Sequence, residues 1–177
     1  MKKGKKMERL YPMTRKERQM SDDNAKRFLY EGKVGRLGLC HGGEPYVVPV
    51  FYVYDLKEGQ IFIHAAKKGR KIDAMSIDKK VCFEVDEAKE LVVASLPCEY
   101  DFIYSSVIAF CKASFVEDNE KKANVLNMIK AKYASTANEI AVTPSMAEGT
   151  MVIKLEIISI MGKENKGTII PYSLQIQ

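Results

Sequence analysis

Residues that bind metals are scarce in this sequence. Only two histidines, His41 and His64, occur in 177 residues, and they lie far apart along the chain. Four cysteines are present without a CxxC spacing, so neither a zinc site nor a disulfide framework is expected. We therefore predict no bound metal ion, and free thiols at Cys82 and Cys111 inside buried strands.

Long apolar runs are also missing. No stretch approaches the roughly 20 apolar residues that a membrane-spanning helix needs. The basic N-terminal residues are not followed by the apolar core of a secretory signal. We therefore expect a cytoplasmic protein without a membrane partner.

The motifs of common catalytic families are absent as well. The chain contains no Walker sequence, no GxGxxG, no HExxH and no nucleophile elbow. Its own side chains offer little for difficult chemistry, so an enzymatic reaction would depend on a bound cofactor.

The excess of positive charge is modest. The formal net charge is +5, and four lysines fall within the first six residues. A nucleic-acid-binding protein would instead carry a basic stripe with interleaved aromatic residues on a folded face. Nucleic-acid binding is therefore the weakest hypothesis, and we expect no such partner.

What the sequence does contain indicates one domain that is mainly β. We predict an N-terminal extension at residues 1–19, a domain at 20–164 and a C-terminal tail at 165–177. Strand patterns occupy residues 34–40, 45–55, 61–65, 81–85, 90–96, 102–116 and 150–161. Six to seven strands with short helices predict an antiparallel barrel.

Three helices interrupt the strands. Ser21 suits the N-cap of the first helix, and Gly69 precedes the second, in which Ile72, Met75 and Ile77 can pack inward. The third covers residues 119–133, and residues 134–148 read as a loop.

Pro49 lies inside the second predicted strand. Proline has no N–H to donate to a strand ladder, so this strand either lies at an edge or kinks there. Either outcome leaves backbone groups unpaired and available to a ligand.

A basic turn follows the third strand. Lys67, Lys68, Arg70 and Lys71 surround Gly69, where a helix begins. Cations, a glycine and free helix N–H groups together suit a phosphate. On composition alone, a solvated surface turn is the more common outcome.

Polar side chains elsewhere have two interpretations as well. His64 ends the strand before the basic turn, where imidazole could bind a phosphate, although a lone histidine is more often structural. Tyr104, Ser105 and Ser106 could donate hydrogen bonds to a ligand, or could simply begin a strand on a solvated face.

The order of these segments resembles a known family. The segments are EGKVGRLGLCHGGEPYVVPVFYVYD, IFIHAAKKGRKIDAM, KKVCFEVD, YSSVIAFCKASFVED and TMVIKLEIISIMGKE. Over residues 14–164 they resemble the FMN-binding split-barrel proteins, in particular the nitroimidazole-resistance (nitroimidazole reductase-like) subgroup related to pyridoxamine 5′-phosphate oxidase. The arginine-rich C-terminal substrate segment of that oxidase has no counterpart here.

The resemblance implies a six-stranded antiparallel split β-barrel that forms a homodimer, with FMN at the subunit interface. By this resemblance, Gly69, Arg70 and Lys71 align with the Ser-Arg-Lys phosphate clamp of the oxidase. This chain has a glycine where the oxidase has the serine. His64 would be catalytic or orient the cofactor. The cofactor-binding residues implied are Val48, Pro49, Val50, Phe51, Tyr52, His64, Ala65, Gly69, Arg70, Lys71, Tyr104, Ser105 and Ser106.

Two functions follow from this resemblance. The first is an FMN-dependent oxidoreductase of the nitroimidazole reductase-like type, acting on a small aromatic or nitro compound. The alternative is a non-catalytic flavin- or haem-binding split-barrel module, since one fold hosts several functions.

Overall fold

The computed structural model describes residues 12–134 and 140–167. Its six antiparallel strands close into a barrel in the order β1-β2-β3-β6-β5-β4. They are β1 (Val34–His41), β2 (Glu44–Asp55), β3 (Gln60–Ala65), β4 (Lys80–Val92), β5 (Asp101–Val116) and β6 (Met151–Asn165). The prediction of a mainly β, six-stranded antiparallel barrel is confirmed.

Four helices accompany the barrel. They are α1 (Asp22–Glu31), α2 (Arg70–Ile77), α3 (Asn119–Tyr133) and α4 (Pro144–Ala147). Ser21 caps α1 as predicted, because its hydroxyl accepts a hydrogen bond from the Asn24 amide at 3.2 Å. Among the described residues, no helix is long and apolar enough to cross a bilayer.

Alternating side chains fill the inside of the barrel. One apolar cluster takes inward residues from all six strands, together with Leu29 of α1 and Met75 of α2. A second, smaller cluster lies outside the barrel, where Val125 of α3 covers Val53, Phe62 and Val152. The two clusters enclose β3 from both sides.

The predicted strands at residues 81–85 and 90–96 were wrong as separate elements. They form one strand, β4, which ends at Val92 and has a register shift between Ala88 and Glu90. The charged residues between them resemble a turn in the sequence. In the structure they lie on a hairpin arm whose ladder with β5 continues beyond the barrel, where charged side chains stay in water.

Three smaller predictions also need correction. Ile77 does not pack inward, because 75% of its surface is exposed at the end of α2. The predicted loop at 134–148 contains α4, while residues 135–139 lie outside the described part of the chain. Cys82 is only half-buried, whereas Cys111 is buried as predicted.

The end of the N-terminal segment is bound to the barrel. The Arg18 guanidinium is buried and lies 2.6 Å from the Asp101 carboxylate. Burial opposes the charged form of Asp101, but hydrogen bonds from Arg18 and the Phe102 amide outweigh it and lower the pKa of this carboxyl. The predicted division into extension, domain and tail stays a prediction.

Candidate functional site

β2 has one open edge. Residues 44–51 pair with β1, but β2 pairs with β3 only from Tyr52 to Asp55. Beyond Ile63, the last residues of β3, His64 and Ala65, pair with β6 alone. β2 and β3 therefore separate after the Tyr52–Ile63 pair, and within the described residues no strand covers this stretch of β2.

Hydrogen bonds at Tyr52 show which backbone groups face the opening. The Tyr52 amide and carbonyl both bond the Tyr133 hydroxyl, which also lies 2.7 Å from the carbonyl of Lys33, just before β1. Backbone groups alternate along a strand. The amide of Phe51 and the carbonyls of Phe51 and Pro49 therefore point to the open edge.

Pro49 confirms the edge interpretation. β2 runs through it without a break, and it pairs with Arg36 on the β1 side. Its missing N–H falls on the open edge, where no ladder bond is lost. This open edge, from Val47 to Phe51, can donate two hydrogen bonds, from the amides of Val47 and Phe51, and accept several from the rim of a flat ligand.

Side chains along this stretch alternate in exposure. Val50 and Tyr52 are buried in the barrel, so a ligand outside it cannot touch their side chains. The Tyr52 hydroxyl donates to the Leu29 carbonyl at 2.5 Å, and burial raises its pKa. Pro49 and Phe51 are exposed on the outer face and remain available.

His64 lies on the same outer face. Tyr52 of β2 pairs with Ile63 of β3. Phe51 precedes Tyr52 and His64 follows Ile63, so the side chains of Phe51 and His64 occupy neighbouring positions across the opening. His64 is exposed, whereas Ala65 is buried and can offer only its backbone. An imidazole here can meet a ligand that lies along the open edge.

The basic turn stands at the end of the same opening. Gly69 adopts φ 133° and precedes α2, and its carbonyl accepts hydrogen bonds from the amides of Ile72 and Asp73. The amides of Arg70 and Lys71 belong to the first turn, which has no intrahelical acceptors for them. Lys67, Lys68, Arg70 and Lys71 have no carboxylate within ion-pair distance in the part of the chain that the structure describes.

Arg70 connects this turn to β2. Its guanidinium carbon lies 4.5 Å from the centre of the Tyr46 ring, which is a cation–π contact. Tyr46 is next to the open edge on the same strand. This contact places Arg70, a candidate ligand for a phosphate, beside the backbone groups of β2 that could bind a ring.

The structure does not bring Tyr104, Ser105 and Ser106 to this opening. They pair with β4 at Ala88, Glu87 and Asp86, and with β6 on the other side. Strands β4 and β1 lie between β5 and β2 in the barrel. These residues are therefore three strand spacings, or about 14 Å measured along the sheet, from β2. Ser105 instead lines a cleft of about 740 Å³ between α1 and the ends of the strands.

Tyr133 and Lys132 at the end of α3 were missed by the sequence analysis. Tyr133 bonds Tyr52, and the Lys132 ammonium lies 4.1 Å from the centre of the Tyr52 ring. Both contacts join residues about 80 positions apart, and neither belongs to a motif. Burial lowers the pKa of Lys132 to about 8.

Two of the four cysteine thiols are poorly activated. Burial raises the pKa of Cys111 to about 12 and also raises that of Cys82. Within residues 12–134 and 140–167, no three metal-binding side chains cluster.

The family model for pyridoxamine 5′-phosphate oxidase matches residues 21–164. The chain belongs to this family of flavin-binding split barrels. A comparison with curated protein sequences gave no match. The family accounts for the split-barrel fold.

Solved structures share the fold at low sequence identity. The flavocytochrome Anf3 from Azotobacter vinelandii is 19% identical, with a TM-score of 0.78 over 91% of this chain and 75% of that one. A protein from Bacteroides thetaiotaomicron, described as a putative 5-nitroimidazole antibiotic resistance protein, is 22% identical, with a TM-score of 0.70 over 82% and 85%. An FAD- and heme-binding protein from Mycobacterium smegmatis is 20% identical, with a TM-score of 0.76 over 90% and 78%.

Proposed function

We propose that this protein is a homodimeric, FMN-dependent oxidoreductase of the nitroimidazole reductase-like type, which acts on a small aromatic or nitro compound. One observation carries the proposal: the open edge of β2 lies at the same opening as the basic turn, whose four cations have no carboxylate within ion-pair distance among the described residues. An edge that binds a ring and a turn that binds a phosphate together match a flavin mononucleotide.

Each group has a defined task in this proposal. Arg70, Lys71 and the first amides of α2 bind the phosphate. The Phe51 amide and the Pro49 carbonyl bind the rim of the flavin ring. The flavin supplies electron transfer between a donor and the substrate. His64 orients the ring or the substrate from the outer face.

The outer face of the barrel supports a dimer. Large apolar side chains on β1, β2, β4 and β5 expose 43–61% of their surface there. They are Val34, Val47, Phe51, Leu91 and Phe102. Arg36 lies among them and pairs with both Glu84 and Asp86, so these three side chains together carry one excess negative charge. A second copy could cover the apolar side chains of this face if that charged group stays in water.

A dimer would also account for the distant hydroxyl residues. Tyr104, Ser105 and Ser106 are too far from the opening of their own barrel to touch a ligand there. Their predicted part in the site therefore requires a second copy whose β5 reaches the ring.

The phosphate assignment is tested by Arg70→Ala combined with Lys71→Ala. The purified protein is titrated with FMN, and flavin fluorescence reports binding. We expect the double variant to bind FMN at least 100-fold more weakly, since two charge-assisted contacts are lost. Lys79→Ala with Lys80→Ala removes the same charge beyond the far end of α2 and should leave binding unchanged. Equal FMN affinity in both double variants would refute the assignment.

The activity itself needs a separate measurement. The flavin is reduced without oxygen by NADH or NADPH, and a nitroaromatic compound is then added. Reoxidation of the flavin with loss of the nitro absorbance supports the enzyme. A flavin that neither donor reduces supports a carrier instead.

The second candidate is a non-catalytic flavin- or haem-binding module. Its support is the exposed imidazole of His64 beside the opening, because a free imidazole is a common haem ligand. Two of the similar structures are named as a flavocytochrome and as an FAD- and heme-binding protein. A Soret band that His64→Ala removes, and His41→Ala retains, would favour this function. Chromatography of the released flavin separates FMN from FAD.

A further inference from the structure

The last residue of α3 completes the ladder between β1 and β2. Regular pairing ends at Val34 and Phe51, so Lys33 and Tyr52 would form the next pair. The Tyr133 hydroxyl lies between them instead. It accepts a hydrogen bond from the Tyr52 amide at 3.1 Å and can donate to the carbonyl of Tyr52 or of Lys33, each at 2.7 Å.

The same side chain also touches Phe51, the last residue of the open edge. The rings of Tyr133 and Phe51 meet edge to face, with centres 5.1 Å apart and planes inclined by 61°. Tyr133 therefore contacts β2 twice, through the backbone of Tyr52 and through the side chain of Phe51. Both contacts lie where β2 loses its neighbour on one side.

A strand with one free edge can shift its backbone more easily than a strand paired on both sides. The Phe51 amide is one of the two donors of that edge, and it adjoins the Tyr52 backbone that the Tyr133 hydroxyl holds. A binding group must keep its position to within a fraction of an ångström for its full effect.

We propose that Tyr133 is a positioning residue, whose hydroxyl orders the open edge of β2 so that the Phe51 amide is aligned for the flavin. The inference rests on the proposed function. It adds that α3, a helix outside the barrel, determines how tightly the ring is bound.

Attachment of α3 does not depend on this hydroxyl. Val125 is fully buried against Phe62, Val53 and Val152, and Lys121 forms an ion pair with Glu58 in the turn between β2 and β3. Loss of one hydroxyl at the helix end should therefore leave α3 in place. Its effect is expected at the open edge.

The test uses Tyr133→Phe, which keeps the ring contact and removes the hydroxyl. Tyr30→Phe is the control, since Tyr30 is a half-exposed tyrosine on α1. FMN affinity is measured by fluorescence titration, and visible circular dichroism reports the ring's environment. We expect Tyr133→Phe to weaken FMN binding by about 3- to 10-fold, the effect of one hydrogen bond, and to change the flavin dichroism. Tyr30→Phe should change neither.

Amide hydrogen exchange gives a readout without flavin. In the ligand-free protein, Tyr133→Phe should speed exchange at the amide of Tyr52, while Phe62 stays protected. Phe51→Leu is a second variant, which keeps the hydroxyl bonds and removes the ring contact. It should leave the Tyr52 amide protected.

The outcomes separate this inference from the proposed function. Wild-type affinity and wild-type dichroism in Tyr133→Phe would overturn the positioning role. A loss of thermal stability without any change in flavin binding would overturn it too, because it would show a structural contact only. If the wild-type protein binds no flavin, the proposed function fails, and unchanged exchange at Tyr52 would then overturn this inference independently.

Discussion

The two halves of β2 contain similar residues but have different surroundings. Residues 52–55 pair with β3 and carry three buried side chains in succession, because α3 covers their outer face. Residues 44–51 alternate between exposed and more buried positions and leave one edge open. Valine and aromatic residues thus support packing in one half and a ligand edge in the other. Neighbouring elements, rather than residue type, make the difference.

Residues 52–55 are the closed half of β2, and residues 44–51 are its open half. The largest effect on stability should come from a substitution at a residue that packs against the closed half. Phe62 is the cross-strand neighbour of Val53 and is fully buried between the barrel and α3. Phe62→Ala should cost about 3–5 kcal/mol of unfolding free energy, since it leaves a cavity. Denaturant unfolding measures this, with Phe51→Ala as the matched change in the open half. Phe51 is 56% exposed, so its replacement should cost about 1 kcal/mol or less. Equal costs would contradict the distinction between the halves.

The basic turn at the end of the opening should lose stability through backbone strain at Gly69 rather than through a lack of space for a side chain. At Gly69 an added Cβ would meet nothing within 4 Å, yet φ is 133°. Gly69→Ala should therefore cost about 1–3 kcal/mol through backbone conformation alone. Thermal unfolding is compared with that of Gly149→Ala, where space is also open and φ is not in the positive region. An unchanged melting temperature for Gly69→Ala would show that the turn relaxes without cost.

Lys132, beside Tyr52 at the boundary of the two halves, should make stability depend on pH. Its pKa is lowered from 10.5 to about 8 by burial, so the folded state loses this proton first as pH rises. Between about pH 8 and 10.5 the unfolded state holds more protons, and stability therefore rises with pH. Below pH 8 the cost of the buried charge is present in full.

Lys132→Met removes the titrating group and keeps the length of the side chain. The difference in melting temperature between Lys132→Met and the wild type should be largest near neutral pH and shrink as pH approaches 10.5. A difference that does not vary with pH would show that Lys132 is not desolvated in the folded state.

The smallest effect on stability is expected in the open half. Val47 is 61% exposed, so Val47→Asp should change the unfolding free energy of one subunit by about 0.5 kcal/mol at most. If this outer face joins two copies, the same change should produce monomers in sedimentation experiments. Leu56→Asp introduces the same charge in the β2–β3 turn and should leave assembly intact. A wild-type protein that is itself monomeric would refute the dimer.

Sequence patterns located most strands and the helices α1, α2 and α3, because alternation and helical spacing are local properties. Pro49 predicted either an edge or a kink for the same reason, since its missing N–H restricts its neighbours wherever it occurs, and the structure shows the edge. The continuity of β4 could not be read, because charged residues at 86–90 look alike in a turn and in a solvated hairpin. No local signal indicated that Tyr133 would bond Tyr52, or that Arg70 would lie over Tyr46.

Residue patterns along the chain specify the barrel, the basic turn at Gly69 and the stretch of β2 that resists full pairing. These follow from side-chain periodicity and from backbone chemistry at glycine and proline. Three features depend on how the chain packs: the turn and the free edge share one opening, Tyr104 to Ser106 lie away from it, and α3 ends against it. Such contacts join residues distant in the chain, and they form because the closed barrel leaves those surfaces facing one another.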